Sequence, residues 1–130
     1  MDVYGFAAVG LGAAVGAWLR WWLGIRLNPV FPTLPLGTLA ANLIGGLLVG
    51  VAVAYFSRHP HLPPEARLTV ITGFMGGLTT FSTFSSEVVG LIVNGEYFWA
   101  ASTACLHLVG SLVLTGVGML IVSTLLKTPA

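Results

Sequence analysis

Charge is what this sequence has least of. Lysine, arginine, aspartate and glutamate together make up 7% of the chain, while hydrophobic residues make up 56%. A soluble domain carries about 25% charged residues, so there are too few here to coat a water-facing surface. Cysteine is nearly absent: Cys105 stands alone, which excludes an intrachain disulfide and any Cys-x-x-Cys metal or redox motif. The net charge of +1, with no clustered basic stretch, leaves no footprint for nucleic acid. No basic segment precedes the first apolar run, which Met1-Asp2-Val3-Tyr4 enters directly, so that run is expected to be a retained helix and not a cleaved leader. These absences point to an all-α integral membrane protein with one transmembrane domain over residues 1–130.

A membrane-crossing helix takes about 20 mostly apolar residues, and four stretches supply them. The first runs from Val3 to Leu23, with Trp18, Trp21 and Trp22 clustered near its end as aromatic residues cluster at a membrane interface. Gly12 and Gly16 form a Gly-x-x-x-Gly surface in it that lets another backbone approach. Pro29, Pro32 and Pro35 then make a stiff surface connection. The second span runs from about Leu36 to Phe56 and holds Asn42 and the pair Gly46 and Gly50. The polar segment from Ser57 to Arg67 is a solvated loop, with Pro63 or Pro64 placed to begin the next helix; His59 and His61 are read as loop residues, two histidines being too few for a metal site. The third span covers about Ala66 to Val93, Asn94-Gly95 is a turn, and the fourth covers about Tyr97 to Leu126, ended by Lys127 and Pro129.

Four crossings put both termini on one side. Arg58, Arg67 and Lys127 then lie with the termini, and Arg20 and Arg26 lie opposite. So weak an asymmetry gives the positive-inside rule almost nothing to act on. The chain is therefore expected to insert both ways and to pair with its own inverted copy. Four short helices also fill their own interior, so a pathway is expected at or near the interface of a homo-oligomer.

The third span contains the most unusual stretch, Gly73-Phe-Met-Gly-Gly-Leu-Thr-Thr-Phe-Ser-Thr-Phe84. It has three glycines, four hydroxyls and three phenylalanines in twelve positions. Each glycine costs about 1 kcal/mol relative to alanine inside a helix, and a break from Gly73 to Thr80 is expected. Irregular backbone at membrane depth must face protein, a cavity or an ion, which makes such a break a pointer to a binding site. The half-helix ending there presents carbonyls suited to a cation. The half resuming there presents amides and a positive dipole end suited to an anion.

Other polar residues converge on the same requirement. His107, Ser111 and Thr115 fall at i, i+4 and i+8, one stripe of the fourth helix. Asn42 should turn inward, either lining a path or bonding between helices. Glu87 shares a helix face with Thr80 and Thr83; a carboxylate there is either functional or solvated at the interface. Arg20 either snorkels to headgroups or anchors a vestibule for an anion. Phe81 and Phe84, three apart, can present ring edges, the positive side of the quadrupole, to one side. A small anion moving beside a fixed cation would use both signs of site.

Together the Gly-Ala-Trp-Leu-Arg20 end of span one, Gly37-Thr-Leu-Ala-Ala-Asn42 of span two and the long run from Gly73 to Glu87 resemble the small bacterial fluoride channels of the Fluc or CrcB family. The resemblance covers essentially the whole chain. It implies an antiparallel dual-topology homodimer in the bacterial inner membrane, with two fluoride pores along the subunit interface. It implies that Gly76 and Thr79 offer backbone carbonyls to a central structural sodium ion. It also implies that Phe81 and Phe84 form a box of ring edges, with Asn42 and Ser82 as donors nearby and Thr80 beside them. His107, Ser111 and Thr115 correspond to the polar track of the family's fourth helix, Glu87 to a position toward one mouth of the pore, and Met75 to a spacer within the break. The implied role is passive export of fluoride that relieves its toxicity, and the protein is not an enzyme.

A small four-helix multidrug or cation exporter is the main alternative. Such exporters use a carboxylate within the first span for proton coupling, and none stands between Val3 and Leu23. A structural subunit of a membrane complex would account for the glycine pairs but not for the polar stripe.

Overall fold

The computed structural model describes residues 1–127. Every regular element among them is helical. Helix α1 spans Val3–Leu27 and α2 spans Leu36–Arg58, joined through a 3-10 turn at Asn28–Val30. A composite run, α3, consists of an α-turn (Pro64–Arg67), a π-helical stretch (Leu68–Met75) and a last α-turn (Gly76–Leu78). After two extended residues come α4 (Phe81–Val93) and α5 (Tyr97–Leu125). The helices α1, α2 and α5 are each long and apolar enough to cross a membrane. Pro129, expected to end the last helix, lies outside the described residues.

The ends of these helices follow local chemistry. Asp2 caps α1, its Oδ1 accepting the Gly5 amide at 2.7 Å. Helix α2 starts after Pro35, whose side chain cannot cap, and Asn28 does so from the preceding turn: its Oδ1 accepts the amides of Gly37 at 2.7 Å and Thr38 at 3.1 Å. Pro64 occupies the first position of α3, where its missing N–H is no loss. Gly95, at φ +75°, makes the turn between α4 and α5. At the far end of α5 the Arg58 guanidinium donates to the Leu126 carbonyl at 2.7 Å.

Packing is inverted relative to a soluble bundle. The buried residues of α1 and α2 are mostly glycine, alanine and threonine, while Phe6, Trp18, Trp21, Phe98 and Leu112 lie on the outside. With lipid outside, close backbone contact replaces hydrophobic expulsion as the source of helix association. Gly46 faces Ser111, Gly50 faces Thr115, and Gly118 faces Leu47 and Val51, so α2 and α5 run parallel and nearly touch. Gly12 and Gly16 of α1 meet the backbone of Thr69, Phe74 and Leu78, while Gly73 and Gly77 of α3 meet Val9 and Ala13 in return. A small apolar core of Leu23, Ala41 and Leu78 closes the centre.

These contacts correct the position of the break. The chain stays helical through Gly73, Gly76 and Gly77, and only Thr79 and Thr80 are extended. Gly73 and Gly77 serve contact with α1 and do not unwind the helix; Gly73 lies within the π-helical stretch, whose turn is wider, and Gly77 follows it. Met75 accordingly lies in a helix and is buried, instead of spacing a break.

A Cβ on Gly50 would collide with the Thr115 carbonyl, whereas one on Gly10 meets nothing within 4 Å. Gly50→Ala is therefore expected to destabilise by about 1–3 kcal/mol through overpacking and to lower the thermal midpoint in detergent. Gly10→Ala should match or exceed the parent in the same measurement.

Candidate functional site

The break between α3 and α4 is held by one side chain. Thr80 is extended, at φ −147° and ψ 121°, so its amide and carbonyl lie outside any helical ladder. Asn42 of α2 pairs with both: its Oδ1 accepts the Thr80 amide at 2.8 Å and its Nδ2 donates to the Thr80 carbonyl at 3.0 Å. The second amide hydrogen of Asn42 is directed at His107 Nδ1, 2.9 Å away. The backbone of Thr80 fixes which way the Asn42 amide points, because an N–H can only donate and a carbonyl only accept. His107 Nδ1 must then accept, which leaves the ring hydrogen on Nε2. Neither hydrogen of Asn42 is left over for a ligand in this arrangement.

The same clamp releases carbonyls at the end of α3. In a continuous helix the Gly76 carbonyl would take the Thr80 amide and the Thr79 carbonyl the Thr83 amide. The first of those amides goes to Asn42, and the second goes to the Thr80 hydroxyl at 3.1 Å, which caps α4. Both carbonyls are thus free for another donor or a cation. The intervening Gly77 carbonyl is occupied by Arg20, whose Nε donates to it at 3.0 Å. That places a cation on the carbonyl end of a helix, where the dipole favours it.

Two concavities meet at Thr80. A groove of about 460 Å³ is lined by Asn42, Gly45, Gly46, Met75, Gly76, Thr79, Thr80, Phe81, Phe84, His107, Ser111 and Thr115, among others. A second of about 350 Å³ is lined by Arg20, Trp21, Gly24, Asn28, Thr38, Thr80 and Thr83, among others. The structure therefore brings Asn42, Thr80, His107, Ser111 and Thr115 to the first and Arg20 to the second, with Thr80 common to both, while Glu87 lines neither. Ser82 is exposed and lines neither, its Oγ standing 3.4 Å from the Thr80 hydroxyl.

In the groove, the Phe81 and Phe84 rings meet nearly edge to face, 5.6 Å between centroids, and Phe84 leans over the His107 imidazole at 4.6 Å. Phe81 is 79% exposed, an unusual state for a phenylalanine beside a polar cleft. The stripe on α5 is present, but its hydroxyls are occupied. Ser111 donates back to the His107 carbonyl, and Thr115 donates to the carbonyls of Ser111 at 2.8 Å and Gly46 at 2.9 Å. They show the groove their lone pairs, and each must turn to offer a hydrogen.

Glu87 is half-buried on α4 and is reached from α2: the buried Thr38 hydroxyl donates to its Oε1 at 2.6 Å. Sequence reasoning did not single out Thr38 or Asn28. Thr38 had a signal, lying one turn before Asn42 on the same face. Asn28 had none, since its role depends on where the proline-rich turn brings α2.

Residues 7–119 match the family model for CrcB-like protein, Camphor Resistance (CrcB). The chain is 60% identical over 125 residues to the fluoride-specific ion channel FluC of Nitrosospira multiformis, covering 96% of this chain and 98% of that one. It is 59% identical over 119 residues to the protein of that name from Cupriavidus metallidurans, covering 92% and 94%. To the one from Pseudomonas putida it is 61% identical over 112 residues, covering 86% and 88%.

Replacing the clamp tests the geometry directly. Asn42→Leu leaves the Thr80 amide and carbonyl and His107 Nδ1 without partners, each unsatisfied buried group costing about 1–3 kcal/mol. The thermal midpoint should fall well below that of a control such as Cys105→Ser on the exposed face of α5. An unchanged midpoint would mean that the break is held by other contacts.

Proposed function

The chain belongs to the CrcB family, and we infer on that ground that it is a fluoride-specific ion channel of the membrane and not an enzyme. Beyond this, we propose how its residues conduct. Four crossings, by α1, α2, the pair α3 and α4, and α5, place both ends on one side of the bacterial inner membrane. The protein works as an antiparallel homodimer, one copy inverted. The feature that best supports this is the groove itself, which one chain leaves open on one side with Phe81 standing out at its edge. A second copy closes the groove and converts it, with its symmetric mate, into two pores.

Fluoride is small and tightly hydrated, so its water must be exchanged stepwise for donors on the path. The Arg20 depression supplies a cationic vestibule. From there the ion passes Thr80 and the amide end of α4, where the helix dipole favours an anion. It then meets the ring edges of Phe81 and Phe84, the Nε2 hydrogen of His107, and the Ser111 and Thr115 hydroxyls once they turn from their carbonyls. Each contact is weak enough to leave. Chloride, larger and a weaker acceptor, gains too little from the same row. Glu87 and Ser82 lie toward the mouth. Flux is passive and runs outward when fluoride has accumulated inside, which relieves its toxicity.

The free Gly76 and Thr79 carbonyls fit a structural sodium ion. They are hard oxygen donors on an exposed glycine face, and nothing stands within 4 Å of where a Gly76 Cβ would be. Hard cations take several such oxygens, so two carbonyls from each of two copies would share one ion at the dimer centre. The ion would supply fixed positive charge beside both pores.

Efflux from liposomes containing the purified protein, followed with a fluoride electrode and repeated with chloride, tests the channel. Fast fluoride efflux without chloride efflux is expected, and no fluoride flux from folded protein would refute the function. Phe81→Ile and Phe84→Ile should each abolish flux while the protein elutes as the parent does; normal flux in both would remove the ring-edge mechanism. For sodium, the thermal midpoint should rise with sodium concentration and not with an equal concentration of N-methylglucamine, because binding to the folded state alone stabilises it. Identical midpoints would argue against the site.

A further inference from the structure

Arg67 stands apart from the groove and the Arg20 depression. It is exposed and lies one residue before Leu68, where the apolar part of α3 begins. Leu68 lies over Gly5 near the start of α1, and Arg58 at the end of α2 bonds the Leu126 carbonyl just past the end of α5. Four helix ends therefore share one level, which is the membrane surface. Between α2 and α3 the chain frames a cavity of about 370 Å³ at that level, lined by Ser57, His59, Pro60, Pro63, Pro64 and Arg67. Phe56 and Leu62 supply its apolar wall.

The backbone groups already in use decide the sign of a ligand there. Ser57 Oγ donates to the Ala54 carbonyl at 2.8 Å, and His59 Nδ1 stands 2.8 Å from the Tyr55 carbonyl. The His59 amide goes to the Phe56 carbonyl at 3.2 Å and the Leu62 amide to the His59 carbonyl at 3.1 Å. The carbonyls that could hold a cation are thus occupied. A carbonyl only accepts, so the hydrogen of the neutral His59 ring sits on Nδ1, and the ring adds no negative charge to the rim. Arg67 lines the cavity with no carboxylate or carbonyl partner among the described residues, whereas Arg58 is taken up by the end of α5. The three prolines fix the shape of the wall through their locked φ angles. What the cavity offers is one unspent guanidinium in a stiff frame.

We propose that this cavity is a phosphate site that binds the phosphodiester of a membrane lipid, with Arg67 as its ligand. The fork of a guanidinium matches two oxygens of a phosphate, and such charge-assisted pairs are the strong hydrogen bonds of protein surfaces. The level of the cavity favours a lipid over free phosphate, since a cation one residue outside an apolar span lies among the headgroups. Phe56 and Leu62 also give the glycerol and the first acyl carbons an apolar surface, for which free phosphate has no use. Under the inverted pairing proposed above the same cavity opens in both leaflets, and a phosphodiester is an anion that both leaflets supply. The bound lipid would tie the segment between α2 and α3 to the bilayer. The site requires only that the chain span a membrane and holds whichever ion the channel passes.

The test follows the thermal midpoint of the full-length protein in detergent as short-chain dihexanoyl phosphatidylglycerol is added. Dihexanoylglycerol, which lacks the phosphate, and inorganic phosphate form the other two arms. The phospholipid should raise the midpoint saturably, because a ligand of the folded state stabilises it; the diacylglycerol should not, and inorganic phosphate at equal concentration should do far less. Arg67→Gln should weaken the apparent affinity at least ~10-fold. Arg67→Lys, which keeps the charge but not the fork, should fall between, and it carries the comparison if the glutamine protein fails to fold. Arg26→Gln, whose arginine stacks on Trp22 at the opposite surface, should respond as the parent does. A parent-like affinity in Arg67→Gln or in Arg67→Lys would overturn the site. So would an equal loss in Arg26→Gln, which is the signature of net charge alone. An equal response to inorganic phosphate would overturn the lipid as ligand in favour of free phosphate.

Discussion

A helix broken inside an apolar environment must find partners for the backbone groups it frees, and here that requirement falls on Asn42. Its carboxamide pairs with both the amide and the carbonyl of Thr80, as a neighbouring strand would. Lipid could not do the same. Once the pairing is made, other features follow from it. The amides that would have closed the last turn of α3 are diverted, so the Gly76 and Thr79 carbonyls are left open. The amide orientation is forced, so His107 keeps its hydrogen on Nε2. The Thr80 hydroxyl is free to cap α4, so a second helix begins two residues after the first has ended.

Close approach of the helices makes the clamp reachable. Asn42 is a short side chain, and it spans from α2 to the break only because glycines on α2 bring it against α5 and glycines on α1 and α3 bring those two together. The π-helical stretch contributes to the same end, since its wider turn sets the face that α3 presents to α1 over Leu68–Met75. Small residues thus do in this membrane fold what large apolar residues do in a soluble core, and large residues are left for the lipid face. The polar surfaces that result are of two kinds. Some are closed by the chain itself, as with Thr38 and Glu87. The long groove from Asn42 to Thr115 stays open on one side, and the proposed inverted copy would close it.

The glycine-rich run shows how one composition can serve two purposes that sequence does not separate. Glycine weakens a helix and also permits contact, and the run from Gly73 to Gly77 was expected to unwind. It stays helical because the contact with Val9 and Ala13 outweighs the propensity loss of about 1 kcal/mol per glycine. The unwinding falls instead on Thr79 and Thr80, which bond readily outside a ladder and find Asn42 and the α4 amides as partners.

Much was legible in the residues alone. The scarcity of charge and the length of the apolar runs required a membrane and gave the helix positions to within a few residues, because hydropathy depends on composition over a window and not on neighbours in space. The i, i+4, i+8 spacing placed His107, Ser111 and Thr115 on one stripe for the same local reason. Long-range partners were not legible: that Asn42 clamps Thr80, that Asn28 caps α2, that Thr38 holds Glu87, and that Arg20 takes the Gly77 carbonyl. Each of these joins residues on different helices, and which pairs form is set by the interdigitation of backbones, to which glycine spacing alone gives no register.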